Sequence, residues 1–159
     1  MLMNKGIQFR KISAYKAVKE IYSHPNSWEF LHTFVEDSEE VEIGEDGEIY
    51  FIYYDGESIK HNYFTNEDEY FWIGGYDNGR LNFLQLVHWI NDSHIDLVVA
   101  QKKATAKSKE YFGKLVSYIS NNYTAKYLTT FPMNDKLKRY YIDNGFYEHN
   151  KELRLDLKL

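Results

Sequence analysis

Two short stretches of this 159-residue chain carry side chains whose types and spacing suit chemistry. The first reads Gln101-Lys102-Lys103-Ala104-Thr105-Ala106-Lys107-Ser108-Lys109 and joins an apolar run to a helical pattern. Backbone N–H groups at a helix start have no intrahelical partner and carry the positive end of the helix dipole, so such a turn can hold a phosphate. Ala104, Ala106 and Ser108 are small enough to let a phosphate approach the backbone. Lys102, Lys103, Lys107, Lys109 and Lys114 make this the most basic part of an acidic chain. The second stretch runs from Asn134 to Phe146, with an asparagine able to cap a helix, tyrosines at 140 and 141, and Gly145-Phe146 behind them. With 15 tyrosines and 18% aromatic residues, the composition itself asks whether one phenol does chemistry.

Other chemistries lack their residues. The absence of cysteine removes disulfides, thiolate metal sites and cysteine nucleophiles, and fits a reducing cytosol. His24, His32, His61, His88, His94 and His149 form no zinc spacing, so no metal is expected. There is no serine in a Gly-x-Ser-x-Gly elbow, no phosphate-loop lysine motif and no dinucleotide glycine fingerprint. Residues 36–48 hold eight carboxylates, which read as a solvated loop and hairpin edge or as an attraction for a cationic substrate. Their positions do not match a calcium loop. A net charge of −5 argues against a nucleic-acid clamp, although the Lys102 to Lys114 stretch with nearby tyrosines as stacking platforms is the feature such a partner would use. Neither a signal-peptide pattern nor a membrane-length apolar run is present, so a soluble, cytoplasmic protein without a membrane partner is expected.

The elements that must position these residues follow from periodicity. The length suits one domain spanning residues 1–159. Ile7, Phe9 and Ile12 mark a first strand. Ser13 caps a helix with Ala14, Ala17, Val18 and Ile21 on one face, and His24-Pro25-Asn26 ends it. A second helix from Ser27 carries Trp28, Leu31, Phe34 and Val35. Residues 48–54 and 58–64 read as strands joined by a hairpin turn at Asp55-Gly56, and 70–76 as another ending at Asp77-Asn78-Gly79. Residues 81–90 have strand-like composition, but Leu81, Leu84, Val87 and Ile90 fall at helical spacing, and a helix is expected there. Residues 95–100 form a buried strand, followed by a helix with Tyr111, Phe112, Leu115, Val116, Tyr118 and Ile119 on its apolar face. A strand at 125–131 and a helix capped by Asn134 and stopped by Asn144-Gly145 come next. Last is a strand in which Leu153, Leu155, Leu157 and Leu159 alternate with charged residues. Strand–helix–strand–helix–strand after Ile95 means an α/β domain.

The segment Asn134-x-x-Leu137-x-x-Tyr140-Tyr141-x-x-x-Gly145-Phe146 resembles the last helix and following strand of the GCN5-related N-acetyltransferases (GNAT superfamily). In that family an asparagine opens the helix, a small or apolar residue lies three on, a tyrosine seven on, and Gly-Phe eleven and twelve on. The family's second hallmark, Gln/Arg-x-x-Gly-x-Gly/Ala after a strand, has two glycine-less counterparts, Gln101-x-x-Ala104-x-Ala106 and Lys103-x-x-Ala106-x-Ser108. The second register fits the apolar helix positions better. The resemblance covers residues 95–159, roughly 40% of the chain.

The resemblance implies a mixed, mostly antiparallel sheet with helices on both faces, and direct transfer of an acetyl group from acetyl-CoA to an amine on a small molecule or peptide. Tyr141 would be the general acid, returning a proton to the coenzyme sulfur. Lys103, Ala104, Thr105, Ala106, Lys107 and Ser108 would cradle the pyrophosphate. Val98, Val99 and Ala100 would offer amides to the reacting carbonyl, and Asn134 would touch the pantetheine or the neighbouring strand. For the general base the residues leave Glu48, Glu57, Glu69 and His88 open. A chain that keeps the fold but has lost catalysis and acts by binding is the other reading.

Overall fold

In the computed structural model, residues 6–38, 41–51, 68–104, 106 and 110–157 are described. The elements in chain order are β1 (Ile7–Ile12), α1 (Ala14–Ser23), α2 (Glu29–Ser38), β2 (Val41–Ile43), β3 (Ile49–Phe51), β4 (Tyr70–Asp77), β5 (Arg80–Asn91), β6 (His94–Lys102), α3 (Tyr111–Asn122), β7 (Tyr127–Thr130), α4 (Asp135–Asp143), β8 (Tyr147–His149) and β9 (Glu152–Asp156). Seven strands form one sheet in the order β1-β4-β5-β6-β7-β9-β8, and β2 pairs with β3 as a separate hairpin. Every neighbouring pair in the large sheet is antiparallel except β6 and β7. This is the mixed, mostly antiparallel α/β sheet expected of the sequence.

Local chemistry sets the helix ends. The Ser13 hydroxyl accepts the Lys16 N–H at 3.1 Å, capping α1, whose Ala14, Ala17, Val18 and Ile21 are buried. Asn134 does the same for α4, accepting from the Leu137 N–H at 2.8 Å. Gly145, at φ +102°, supplies the left-handed residue behind α4. The helices then divide between the two faces of the sheet. Trp72, Leu84, Leu86 and Val99 pack with Val18 and Ile21 of α1, Leu31 of α2 and Trp28 just before α2. On the opposite face Ile73, Phe83, Val87, Ile95 and Leu97 pack with Phe112, Leu115 and Ile119 of α3, and Tyr141 of α4 lies against them.

One expectation is corrected. Residues 81–90 are not a helix but most of β5, the longest of the described strands, paired to β4 on one side and β6 on the other. Phe83, Leu84, Gln85, Leu86 and Val87 are all buried because helices cover both faces of the strand. That removes the alternation by which a strand is normally read. The chain also ends in a hairpin, β8 with β9, where one strand was expected. Strand expectations at residues 52–54 and 58–64, with their turn at Asp55-Gly56, lie outside the described residues. Glu48 belongs to the β2–β3 hairpin, where its carboxylate meets Lys19 at 2.9 Å; the carboxylates of Glu36, Asp37, Glu42, Glu45 and Asp46 are exposed, as the solvated-loop reading expects.

Candidate active site

The site begins where two parallel strands part. β6 and β7 pair at His94–Tyr127, Ile95–Leu128 and Asp96–Thr129, and no further. From Leu97 onward β6 keeps only β5 as a ladder partner. Its other edge therefore offers backbone groups that need partners from elsewhere. One is taken inside the fork: the Thr130 hydroxyl donates to the Leu97 carbonyl at 3.0 Å. The β5–β6 ladder slips between Leu86–Val99 and Val87–Leu97, so Val98 is the extra residue of a bulge. A bulge bends its strand and sharpens the local twist, which turns the end of β6 away from β7.

The fork opens into a cleft of ≈ 470 Å³ walled by Phe83, Gln85, Ala100 and Lys102 of the sheet, Tyr111 and Phe112 of α3, and Leu137, Tyr140 and Tyr141 of α4. The Tyr141 ring packs edge-on against Phe112 at 5.8 Å and Phe146 at 5.2 Å between centroids. Burial holds its hydroxyl above the ordinary phenol range, and the neighbouring Tyr140 and Asp96 add to this while hydrogen bonding with Thr130 opposes it. Tyr141 is therefore protonated across neutral pH.

At the start of α3 the Lys114 N–H already bonds to the Glu110 carbonyl at 3.0 Å. The amides of Tyr111, Phe112 and Gly113 come before the first residue that can reach back along the helix, so they have no intrahelical partner. Among the described residues, and apart from the adjoining backbone of α3, no atom lies within 4 Å of where a Gly113 Cβ would stand. Nothing inside the fold calls for glycine there, although glycine in a helix costs about 0.5–1 kcal/mol relative to alanine.

The sequence-predicted residues fall as follows. Tyr141 and Ala100 line the cleft, and Val98 and Val99 form the bulge beside it. Of the loop, Thr105, Lys107 and Ser108 lie outside the described residues, and Ala104 follows the end of β6. The Lys103 amide bonds to the Asn82 carbonyl at 2.8 Å and the Ala106 amide to the Lys103 carbonyl at 3.0 Å. The Lys103 ammonium turns to the other face, 3.5 Å from Glu20 Oε2 and 5.3 Å from the centre of the Trp28 ring. Gln101 is spent on α2, accepting from the Leu31 N–H at 3.0 Å and donating to the Ser27 carbonyl at 3.3 Å. Among the described residues, the amides at the head of α3 are the ones without an intrahelical partner. Asn134 uses its carbonyl oxygen as the α4 cap.

Sequence reasoning missed a second group at the fork. The Thr129 hydroxyl donates to Asp96 Oδ1 at 2.6 Å, and His94 Nε2 lies 2.6 Å from the same hydroxyl oxygen. Burial raises the Asp96 carboxyl above its ordinary range, opposed by the Thr129 hydrogen bond and by His94, while Glu152 adds to the rise. Burial likewise lowers His94. Of the earlier base candidates, His88 is opposite Asp96 in the β5–β6 register and stacks on Tyr70 at 4.2 Å. Glu48 is on the hairpin, Glu69 precedes β4, and Glu57 lies outside the described residues. The one available signal was a carboxylate inside the apolar run Ile95-Asp96-Leu97-Val98-Val99. Among the described residues no cluster of three metal-ligating side chains occurs, and no helix is long and apolar enough to cross a membrane.

A parallel pair that splays within an otherwise antiparallel sheet, with helices on both faces, is the fold of the GNAT acetyltransferases. Among solved structures that share it, the PaiA N-acetyltransferase of Thermoplasma acidophilum, in complex with coenzyme A, aligns with a TM-score of 0.57 at 12% identity, over 95% of this chain and 99% of that one. The N-acetyltransferase PseH of Campylobacter jejuni gives 0.53 at 12% identity, over 96% and 99%. A GNAT-family acetyltransferase of Elizabethkingia anophelis with acetyl-CoA bound gives 0.53 at 9%, also over 96% and 99%. At these identities the likeness is one of fold. No sequence-family model and no curated protein sequence matches the chain.

Proposed function

We propose that this protein is an acetyl-CoA-dependent N-acyltransferase in which an amine attacks the thioester directly and Tyr141 is the general acid. The observation that carries the reading is the position of Tyr141 on the wall of the ≈ 470 Å³ cleft that opens where β6 and β7 part. The largely apolar walls suit a pantetheine arm, and the amides of Tyr111, Phe112 and Gly113, which have no intrahelical partner, suit a pyrophosphate. Those backbone amides among Val98, Val99 and Ala100 that face the freed edge of β6 would steady the oxyanion developing on the thioester carbonyl. Tyr141, protonated at neutral pH, would give its proton to the sulfur as the C–S bond breaks.

Binding is the first test. Coenzyme A should raise the thermal midpoint in a concentration-dependent way, by about 2.7 kcal/mol of stability at a hundredfold excess over Kd. No shift at millimolar coenzyme A would remove the reading. One observation favours the alternative of a binding protein without turnover: Glu110 places a carboxylate at the α3 N-terminus, where it opposes a phosphate. Tight coenzyme A binding with no thiol release from acetyl-CoA, against a panel of a polyamine, an aminoglycoside and a lysine peptide, would support that alternative. A nucleic-acid partner is the weaker reading, because Lys103 is already paired to Glu20.

A further inference from the structure

We propose that Asp96 is the group that takes the proton from the acceptor amine, and that Thr129 and His94 hold its carboxylate for that task. The proposal rests on the acyl-transfer reading above and assigns the base which that reading leaves open. Three observations carry it. Asp96 occupies the last position at which β6 is paired to β7, so it stands at the base of the fork. Thr130, the residue after Thr129, bonds to Leu97 across the same fork, and Tyr141 feels both the Thr130 hydroxyl and the Asp96 charge. The third is the direction of the hydrogen bonds around the carboxylate.

A threonine hydroxyl has one proton to give. Thr129 gives it to Asp96 Oδ1, so the His94 contact on the same oxygen must run the other way, with Nε2–H donating. His94 is then neutral with its proton on Nε2, which agrees with burial disfavouring its charged form. The chain His94 to Thr129 to Asp96 converges on Oδ1. Among the described residues nothing hydrogen-bonds Oδ2, which keeps its lone pairs for an incoming N–H. Successive donors polarise one another, so His94 strengthens the bond that fixes the carboxylate. Other ionisable groups facing this one are His88 on β5 and Glu152 and Arg154 on β9.

The step balances as follows. A neutral amine nitrogen bonds to the thioester carbon and its N–H proton passes to Asp96 Oδ2. The C–S bond breaks, the sulfur takes the Tyr141 proton, and an amide and a thiol leave. Asp96 has gained one proton and Tyr141 has lost one, and exchange with water restores both.

The experiment uses the full chain with acetyl-CoA and the same three amines, together with ¹⁵N NMR of the histidines and calorimetry with coenzyme A. Wild-type His94 should carry its proton on Nε2. Asp96→Asn should lower turnover about 10²-fold or more with coenzyme A affinity unchanged within roughly twofold. Thr129→Val should move the acidic limb of the kcat profile to higher pH, because a donor to the carboxylate is lost, and Thr129→Ser should restore it. Wild-type turnover in Asp96→Asn, an unmoved limb in Thr129→Val, or a His94 proton on Nδ1 would overturn the proposal while leaving the acyl-transfer reading intact. Failure of the wild type to bind coenzyme A would sink the acyl-transfer reading instead, and the base assignment with it.

Discussion

Thr129 and Asp96 face each other across the last residue pair that β6 and β7 share, and the threonine hydroxyl bonds to the carboxylate at 2.6 Å. One residue further along each strand, Thr130 bonds to the Leu97 carbonyl at 3.0 Å. Successive residues of a strand point to opposite faces. The two threonines therefore clamp the fork on both sides of the sheet, the first beside Asp96 and the second beside Tyr141. In the proposed reaction, proton acceptance and proton donation would then lie on opposite sides of one gap in the sheet.

Removing the Tyr141 hydroxyl should affect chemistry alone. The ring contacts with Phe112 and Phe146 survive in Tyr141→Phe. Turnover should fall by roughly 10²-fold or more, while coenzyme A affinity by calorimetry changes by less than about twofold. Unchanged turnover would take Tyr141 out of the acid role.

Gly113→Ala should separate stability from binding. Among the described residues beyond the adjoining helix backbone a Cβ at this position meets nothing, so the variant should gain about 0.5–1 kcal/mol in urea unfolding without ligand. Gly113 carries one of the three α3 amides without an intrahelical partner, and if these hold the pyrophosphate, coenzyme A affinity should drop. A variant that binds as well as wild type would place the pyrophosphate elsewhere.

Asp96 should cost stability at neutral pH. Its folded-state value is raised by burial above the ordinary 3.8, so the stability it contributes is complete below that value and is lost as pH rises through the raised one. His94 is shifted the other way: its contribution is present above the ordinary 6.5 and is lost as pH falls through the lowered value. Asp96→Asn keeps an oxygen for the Thr129 hydroxyl and carries no charge. Its advantage over wild type in urea denaturation should therefore grow from pH 4 towards pH 7, and a constant difference would contradict the assignment.

Gly75→Ala should be costly although glycine is a poor strand residue. The new Cβ would lie 2.8 Å from Phe9 Cε1 and 3.0 Å from Phe83 Cβ, inside the packed face that α3 covers. About 1–3 kcal/mol should be lost, read from the shift in denaturation midpoint.

Local signals made much of this protein legible in advance. Ser13 and Asn134 as caps, Pro25 and Gly145 as stops, and the buried run from Ile95 all act through a residue's own backbone and near neighbours, so the sequence determines them. The spacing from Asn134 to Phe146 likewise sets Tyr141 on the face of α4 that meets Phe112 and Phe146. Tertiary structure decided three other things. β5 lost its alternation because helices cover both faces of the sheet, and whether a helix lies over a strand is not written within that strand. The side chains of Lys103 and Gln101 were drawn to Glu20 and to Ser27 and Leu31, partners about 70 to 83 residues away. Asp96 acquired its partners because β6 and β7 lie parallel for three residues, which brings Thr129 beside it across a separation of 33 in sequence. Sequence thus set Tyr141 on its face of α4, and the pairing of two strands set Thr129 beside Asp96.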